Sequence, residues 1–331
     1  MTISKYITGF LGLALAAAMA QADGPTISCK MDGTNLIVTY TGELYQSTDA
    51  VKWTAVPGAT SPYLVTMSDK KRFFCAKGED VDRNFTIPLS DTVNLDMIWI
   101  KSCTFIMSSP DDELGGINDS PQHQVTLTKD YWLGKYEVTQ AQYEAVMGEN
   151  PSYFKGANLP VEQVSWDDAM DFCAKLTDQE RAAGRLPKGY EYTLPTEAQW
   201  ECACRAGTTT ALNTGKDLTE RYECPEMDEA GWYVFNSDGT THPVGEKLVN
   251  AWGLYDMHGN VWEWCLDWNG GISASSATDP KGPDTGSRRV VRGGSLSYYA
   301  DECRSAHRES RFPEYKYRCY GFRVALSYVN R

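Results

Sequence analysis

The chain has 331 residues, of which 42% are hydrophobic, and a formal net charge of -13 at pH 7. This length predicts one large domain, or one large and one small domain, with an ordinary packed core. Because nucleic-acid binding needs clustered lysine and arginine side chains, the acidic balance excludes nucleic acid as the main partner.

The first 22 residues, 1–22, have the pattern of a signal peptide. Lys5 supplies a positive charge, residues 7–20 form an apolar run, and the small residues Ala20 and Ala22 suit cleavage. The run is shorter than the roughly 20 residues of a spanning helix, which favours a cleaved signal over the alternative of an N-terminal membrane anchor. No later segment is predicted to span a membrane. We therefore expect an exported protein that is secreted, periplasmic or displayed at the cell surface.

Ten cysteines in an exported chain favour disulfide bonds. Cys29 and Cys75 lie in the same N-terminal segment and form a plausible pair, whereas the remaining connectivity stays open. Cys202 and Cys204 raise zinc as an alternative, but their one-residue gap is shorter than typical zinc-ligand spacing.

Residues 23–92 are predicted to form a small all-β, sandwich-like domain. Runs rich in strand-forming residues occur at 36–40 and 63–67, and Asp32-Gly33 and Pro57-Gly58 are turn signals. No group of residues in this segment suggests catalysis.

From Leu95 onward the pattern predicts a second domain with three helices. Capping-box sequences mark their starts at Thr139–Gln142, Ser165–Asp168 and Thr196–Gln199. Beyond Gly207 the chain is rich in glycine, tryptophan and tyrosine and predicts long loops. Such loops in a compact domain are usually functional, or held by metal ions or disulfides.

Several motifs follow one another in this second domain. They are Tyr136–Thr139, Leu159–Trp166, Leu194–Glu201, Asn250–Trp264, Arg292–Ser295, Cys303–Ala306 and Gly321–Arg323. In this order they resemble the formylglycine-generating enzyme, or sulfatase-modifying factor, family. The resemblance implies an α+β, C-type-lectin-like fold with few helices and much loop over residues 95–327, preceded by the small all-β domain.

The family resemblance also implies a calcium site in the segment Gly253–Trp264. Its ligands would be the side chains of Asp256 and Glu263 and the main-chain carbonyls of Gly259 and Val261. Calcium accepts six to eight oxygen ligands in flexible geometry, which this glycine-containing turn can supply. The alternative is a turn that ordinary hydrogen bonds hold in place.

The oxidases of this family bind copper through two cysteines that follow the Gly-Gly-Ser motif. They use oxygen to convert the cysteine of a Cys-X-Pro-X-Arg sulfatase peptide to formylglycine. Here Tyr298 stands at the first cysteine position, three residues after Ser295, and Cys303 lies five residues further on. If the chain is an oxidase, Cys303 and Ser295 are its catalytic residues, but one thiolate makes a poor Cu(I) site because Cu(I) prefers paired soft ligands. The alternative is a disulfide of Cys303 with Cys265 or Cys319.

The segment 297–320 combines tyrosine, arginine and serine side chains with almost no aliphatic ones. This composition is typical of recognition surfaces and resembles the variable proteins of diversity-generating retroelements, some of which share this fold. The residues expected to bind a protein or glycan ligand are Trp262, Tyr298, Tyr299, Arg304 and Arg308. The alternatives are a polar loop that covers the core and, for Trp262, core packing.

The sequence therefore predicts an exported, calcium-stabilised binding module of this family. The alternative is a copper-dependent oxidase that converts a sulfatase cysteine to formylglycine. A histidine-rich iron site is excluded, because the chain has only four histidines and none are paired at ligand spacing.

Overall fold

The computed structural model describes residues 83–116 and 119–329. Before these it describes the segments 7–8, 27–32, 35–40, 43–47, 54–56, 61, 63–66 and 73–77. The chain divides into two compact units, Met1–Asp82 and Arg83–Arg331. Apart from a two-residue strand, the predicted signal peptide lies outside the described residues. The predicted domain boundaries stay a prediction.

The first unit is described through its strands. They are β1 (Ile7–Thr8), β2 (Ile27–Asp32), β3 (Asn35–Tyr40), β4 (Glu43–Ser47), β5 (Thr54–Ala55), β6 (Tyr63–Thr66) and β7 (Phe73–Lys77). Two antiparallel sheets result, with the strand orders β2-β3-β6 and β1-β7-β4-β5. The strand-rich runs of the sequence thus become β3 and β6. The Cys29 and Cys75 side chains lie outside the described residues, so their pairing stays a prediction.

The second unit contains three further sheets. Their strands are β8 (Phe85–Pro88), β9 (Asn94–Ile100), β10 (Cys103–Met107), β11 (His123–Leu127), β12 (Tyr131–Gly134), β13 (Tyr190–Thr193), β14 (Trp262–Trp268), β15 (Ala277–Thr278), β16 (Arg289–Arg292), β17 (Arg308–Arg311), β18 (Tyr320–Gly321) and β19 (Ala325–Tyr328). The sheet orders are β13-β19-β12-β9-β8, β10-β11-β15 and β17-β16-β14-β18. The last of these sheets joins the segments that carry the predicted site.

Four α-helices accompany these sheets. They are α1 (Gln140–Met147), α2 (Trp166–Ala182), α3 (Glu197–Arg205) and α4 (Pro225–Ala230), with a short 3-10 helix at Ala300–Cys303. The first three begin at the predicted capping boxes, where the hydroxyls of Thr139, Ser165 and Thr196 each accept a backbone N–H bond. Within the described ranges, no helix is long and apolar enough to cross a membrane.

The largest hydrophobic cluster packs α1 and α2 against the strands. Phe172 of α2 stacks on Tyr143 of α1 at a ring-centroid distance of 5.7 Å and meets Phe322 edge-on at 5.3 Å. All three rings are buried together with Trp262 and Trp264 of β14. Aromatic rings bury large apolar areas, so this cluster fixes the helices to the strand that leads into the site.

The cysteine pattern differs from the prediction of extensive disulfide bonding. A disulfide joins Cys103 to Cys202, which removes the zinc alternative for Cys202. In the described part of the chain the other six cysteines are free and buried. The predicted pairing of Cys303 with Cys265 or Cys319 is wrong, because all three cysteines are free, and each packs in a different hydrophobic cluster.

Phe172→Ala is expected to destabilise the domain by roughly 3–5 kcal/mol, because it leaves a cavity between Tyr143 and Phe322. The exposed neighbour provides a control, since Asp171→Ala is expected to change the free energy of unfolding by less than about 0.5 kcal/mol. Chemical denaturation of both variants measures the difference. Equal free energies of unfolding for the two variants would contradict the assigned packing of α2.

Candidate functional site

The arginines of the motifs Arg292–Ser295 and Cys303–Ala306 have structural roles. Arg292, at the end of β16, is completely buried and donates to the Glu201 carboxylate of α3 and to the His307 carbonyl. Arg304 is also completely buried and donates to the carboxylates of Glu113 and Asp119. The ligand contact predicted for Arg304 therefore does not fit the structure, because its guanidinium already neutralises two buried carboxylates.

Ser295 and Cys303 form a close contact beneath the surface. Gly294 has a φ of 74°, and a Cβ there would lie 2.5 Å from Cys303 Sγ, so only glycine fits. The Ser295 backbone N–H donates to the Cys303 thiol, and the Ser295 side chain hydrogen-bonds to the Cys319 thiol. Burial raises the pKa of both thiols, that of Cys319 to about 11, so both are protonated near neutral pH.

Trp262 lies in the interior, as the core-packing alternative predicted. Its ring has no exposed surface and contacts Tyr298 edge-on at 5.2 Å and Tyr320 at 6.3 Å. The contact of Trp262 with a surface ligand therefore does not fit the structure. The Trp262 ring instead packs against the buried side of Tyr298. The half-buried Tyr298 accepts a hydrogen bond from Arg311 at its hydroxyl (3.4 Å).

Tyr299 and Arg308 face different surroundings. Tyr299 is 45% exposed and packs against Tyr222 at 4.9 Å. Arg308 is largely buried and binds both carboxylate oxygens of Glu197 at 2.7 Å, at the wall of a cavity of about 180 Å³. The structure thus does not gather the predicted ligand-binding residues into one surface.

The cavity beside Arg308 holds a second buried carboxylate. Asp267 of β14 accepts a hydrogen bond from the Glu197 backbone N–H at 2.8 Å. Burial and the neighbouring Glu197 charge raise the pKa of Asp267 to about 7. Burial alone would also raise the pKa of Glu197, but the Arg308 and Arg292 guanidiniums outweigh it and lower that pKa. The two carboxyl groups therefore differ in protonation near neutral pH.

The positions predicted to bind calcium lie in the turn before β14 and at its start. Both carboxylate oxygens of Glu263 accept hydrogen bonds from Arg323, at 2.7 Å each, and Trp200 donates a third. Asp256 accepts one bond from Gly245, while its Oδ1 is buried without a hydrogen-bond partner in the described structure. The Glu263 carboxylate is thus paired with the Arg323 guanidinium, whereas Asp256 retains an oxygen that a cation could bind.

A third carboxylate, Glu137, belongs to the same cluster. It accepts hydrogen bonds from the Asn260 side chain (2.7 Å) and the Val261 N–H (3.0 Å). Burial and the charges of Asp256 and Glu263 raise its pKa well above the usual range, and burial raises that of Asp256 to about 6. Three buried carboxyl groups share the single guanidinium of Arg323, so the cluster has a deficit of positive charge.

The fit of this cluster to calcium is partial. The charge deficit and the unpartnered Asp256 oxygen suit a divalent cation, with the carbonyls of Gly259 and Val261 as further donors. Against this, both Glu263 oxygens already accept hydrogen bonds from Arg323. Among the described residues, no three His, Cys, Asp or Glu side chains are arranged to hold a metal ion. Calcium binding stays a prediction.

Sequence reasoning missed several residues that the fold brings into these sites. Glu137 stands in the Tyr136–Thr139 motif, where an acidic residue between Tyr136 and Val138 was the available signal. Asp267 and Glu197 meet only through the packing of α3 on β14. Tyr222 lies in a loop that carries no motif, so its contact with Tyr299 could not be read from the chain.

The sheets, the sparse helices and the long loops define an α+β domain of the C-type-lectin-like class. The family model described as the sulfatase-modifying factor enzyme 1-like domain matches residues 86–328. The chain therefore belongs to this family, and the fold class predicted from the motifs is confirmed.

Individual relatives resemble the same part of the chain. The chaperone protein LppX of Paenibacillus barcinonensis is 33% identical over 44% of this chain and 64% of its own length. The formylglycine-generating enzyme of Thermomonospora curvata is 34% identical over 59% of this chain and 63% of its own length. The chain thus spans less than two thirds of each of these relatives. The solved structure of Treponema denticola variable protein 1 is 31% identical, with a TM-score of 0.65, and the match covers 73% of this chain and 98% of that one.

The raised pKa of Asp267 predicts a pH-dependent stability. The folded-state pKa of about 7 lies above the ordinary value of 3.8. The stability that Asp267 contributes to the fold is therefore fully present below about pH 4 and is lost as the pH rises through 7. Asp267→Asn stays neutral, so the variant should gain stability relative to the natural chain by roughly 2–4 kcal/mol between pH 4 and pH 8.

Urea unfolding at several pH values measures this difference. Asp284→Asn, at an exposed carboxylate, is the control and should change the free energy of unfolding by less than about 0.5 kcal/mol. A difference for Asp267→Asn that stays constant with pH would contradict the assigned environment of Asp267.

Proposed function

We propose that this chain is an exported binding protein, stabilised by calcium, that presents residues 297–320 to a protein or glycan ligand. The observation that carries the proposal is the separation of roles within this segment. Four of its aromatic side chains, Tyr299, Phe312, Tyr315 and Tyr317, are between 38% and 46% exposed. Arg304 and Ser305 of the same segment are completely buried, so the segment is anchored while its rings face solvent.

Exposed tyrosines on an anchored backbone suit recognition. They offer a large contact area with few rotatable bonds, so little conformational entropy is lost on binding. Single exposed aromatic residues are common on protein surfaces, but here four occur within 19 residues of one another and frame a chain rich in arginine and serine. This concentration supports a binding surface over a polar loop that merely covers the core.

The likeness to Treponema denticola variable protein 1 supports the same proposal. We extend it to diversification of residues 297–320, in which exposed positions differ between near-identical genes and the buried anchors Arg304 and Ser305 stay fixed. Sequencing such genes would test this extension, and substitutions spread evenly over the whole domain would contradict it.

The oxidase alternative is less well supported by the site. Ser295 contacts the thiols of both Cys303 and Cys319 through different atoms, which is the one feature in favour of a sulfur site. Both thiols are buried, and burial raises their pKa values, whereas Cu(I) binds thiolates. Tyr298 occupies the position of the first family cysteine and cannot supply a soft ligand.

Ligand binding is expected to depend on the exposed rings. Labelled protein would be applied to a glycan array and to an array of purified extracellular proteins. A combined Tyr299→Ala and Tyr315→Ala variant should lose about tenfold or more in affinity, because exposed aromatic anchors supply much of the energy of such interfaces. Tyr328→Ala, at an exposed aromatic residue outside the segment, is the control. Binding that survives the combined variant would contradict the proposed surface.

Oxidase activity is expected to be absent. The natural chain would be incubated with a Cys-X-Pro-X-Arg peptide, Cu(I), a thiol reductant and oxygen, and the peptide mass would be measured. We expect no conversion of the cysteine to the aldehyde beside a competent family oxidase as control. Conversion that disappears in Cys303→Ala or Cys319→Ala would contradict the proposal and establish the alternative.

Calcium is expected to stabilise the domain through Asp256. At a concentration about 100 times its dissociation constant, a ligand that binds only the folded state adds about 2.7 kcal/mol. This corresponds to a rise in Tm of roughly 5–10 °C for a domain of this size. Thermal melts with EGTA and with added calcium measure it. The shift should vanish in Asp256→Ala and persist in Asp284→Ala, and melting that is unchanged by EGTA would contradict calcium binding.

A further inference from the structure

Three exposed aromatic rings meet where the loop before α4 reaches residues 298–302. Tyr222, Phe235 and Tyr299, here called the aromatic patch, are 54%, 48% and 45% exposed. Tyr222 and Tyr299 meet at a centroid distance of 4.9 Å and an angle of 67°, and Phe235 lies 6.1 Å from Tyr299. The rings form a continuous surface from three separate parts of the chain.

Backbone hydrogen bonds hold the patch in place. The Ala300 N–H donates to the Tyr222 carbonyl (3.2 Å), and the Asp301 N–H donates to the Arg221 carbonyl (3.0 Å). On the other side of the patch, the Val234 N–H donates to the Tyr298 carbonyl (3.0 Å). The rings are therefore arranged before any partner arrives, which lowers the entropy lost on binding.

The surroundings of the patch are acidic. Residues 217–229 contain six acidic side chains and one basic side chain, Arg221. Arg221 is already paired with Asp301 at 2.6 Å. Glu220 and Glu223 beside Tyr222 are exposed and form no ion pair within residues 83–116 and 119–329. This excess of negative charge favours a positively charged partner.

The ring faces favour the same sign of charge. Aromatic faces carry negative potential and attract a guanidinium or ammonium group within about 6 Å. The Arg221 guanidinium carbon already lies 5.7 Å from the Tyr222 ring centroid, so the patch accepts a cation in the structure itself.

We propose that the aromatic patch binds a basic segment of a partner protein. An arginine or lysine side chain of the partner packs against the Tyr222 and Tyr299 rings, and Glu220 and Glu223 neutralise its charge. The proposal rests on the proposed binding function and specifies the chemistry of the partner. A glycan is the competing occupant and is an outcome of the test.

A second group of exposed rings provides a matched control. Tyr153, Tyr315 and Tyr317 are 62%, 38% and 46% exposed. The charge around these rings differs from that of the patch, because Lys155, Lys316 and Arg318 lie next to them in the sequence and the Arg318 guanidinium carbon lies 5.9 Å from the ring centroids of Tyr153 and Tyr317. This second group therefore offers no comparable site for a basic partner.

The experiment uses the purified chain and two labelled peptides, acetyl-(Arg-Gly-Gly)3-amide and the same peptide with citrulline at each arginine position. Citrulline keeps the shape of arginine and removes its charge. Fluorescence anisotropy would measure binding to the natural chain and to Tyr222→Ala, Tyr299→Ala, Tyr222→Phe and Tyr153→Ala. Because the substituted rings are exposed, the variants should fold, and circular dichroism checks this.

The arginine peptide should bind at least about tenfold more tightly than the citrulline peptide, as loss of a charged anchor at an interface commonly has this effect. Tyr222→Ala and Tyr299→Ala should each weaken binding about fivefold or more, whereas Tyr222→Phe and Tyr153→Ala should retain most of it. Equal binding to every variant would mean that the net negative charge of the chain, and not the aromatic patch, attracts the arginine peptide. This result would overturn the proposal. Absence of binding would overturn it as well. In either case, array binding that still depends on Tyr299, to a glycan for example, would leave the proposed function standing.

Discussion

Completely buried arginines, each neutralised by carboxylates from distant parts of the chain, hold this loop-rich domain together. Arg292 reaches Glu201, 91 residues earlier, and Arg304 reaches Asp119, 185 residues earlier. Arg323 binds Glu263 through both carboxylate oxygens. Removing one member of such a pair leaves a buried charge without compensation, which costs several kcal/mol. These pairs therefore determine which loops meet. The few helices and short strands could not determine this by themselves.

This arrangement explains why motif residues make poor candidates for ligand contact. The arginines of the Arg292–Ser295 and Cys303–Ala306 motifs are used internally, and Ser295 is enclosed between two thiols. What remains available to a partner is the set of side chains between these anchors, among them Tyr299. The proposed binding function agrees with this division, because it would use the surface side chains and leave the buried motif residues in their structural contacts.

The same interior holds more carboxyl groups than guanidiniums at two places. Glu137, Asp256 and Glu263 share Arg323, while Asp267 lies beside the pair of Glu197 and Arg308. Burial raises the pKa values of Asp256 and Asp267 because no nearby cation fully compensates their ionised forms. Protons or a bound cation can supply the missing charge, so the stability of the fold is linked to its solution conditions.

The sequence by itself determined the features that are local or carried by motifs. The starts of α1, α2 and α3 follow from hydroxyl and amide side chains three residues apart, and the order of the motifs predicted the α+β fold class. The tendency of tryptophan to be buried also predicted the core packing of Trp262, as one of two alternatives.

Only the tertiary structure decided which distant residues meet. It placed Cys265, Cys303 and Cys319 in separate clusters, although their spacing along the chain allowed pairing. It joined Tyr222 to Tyr299 across 77 residues of sequence and buried Arg304 among acids, where composition alone suggested an exposed cation. The physical reason is that side-chain type and spacing specify local hydrogen bonding and periodicity. The burial of a polar group depends instead on the partners that the whole fold brings to it.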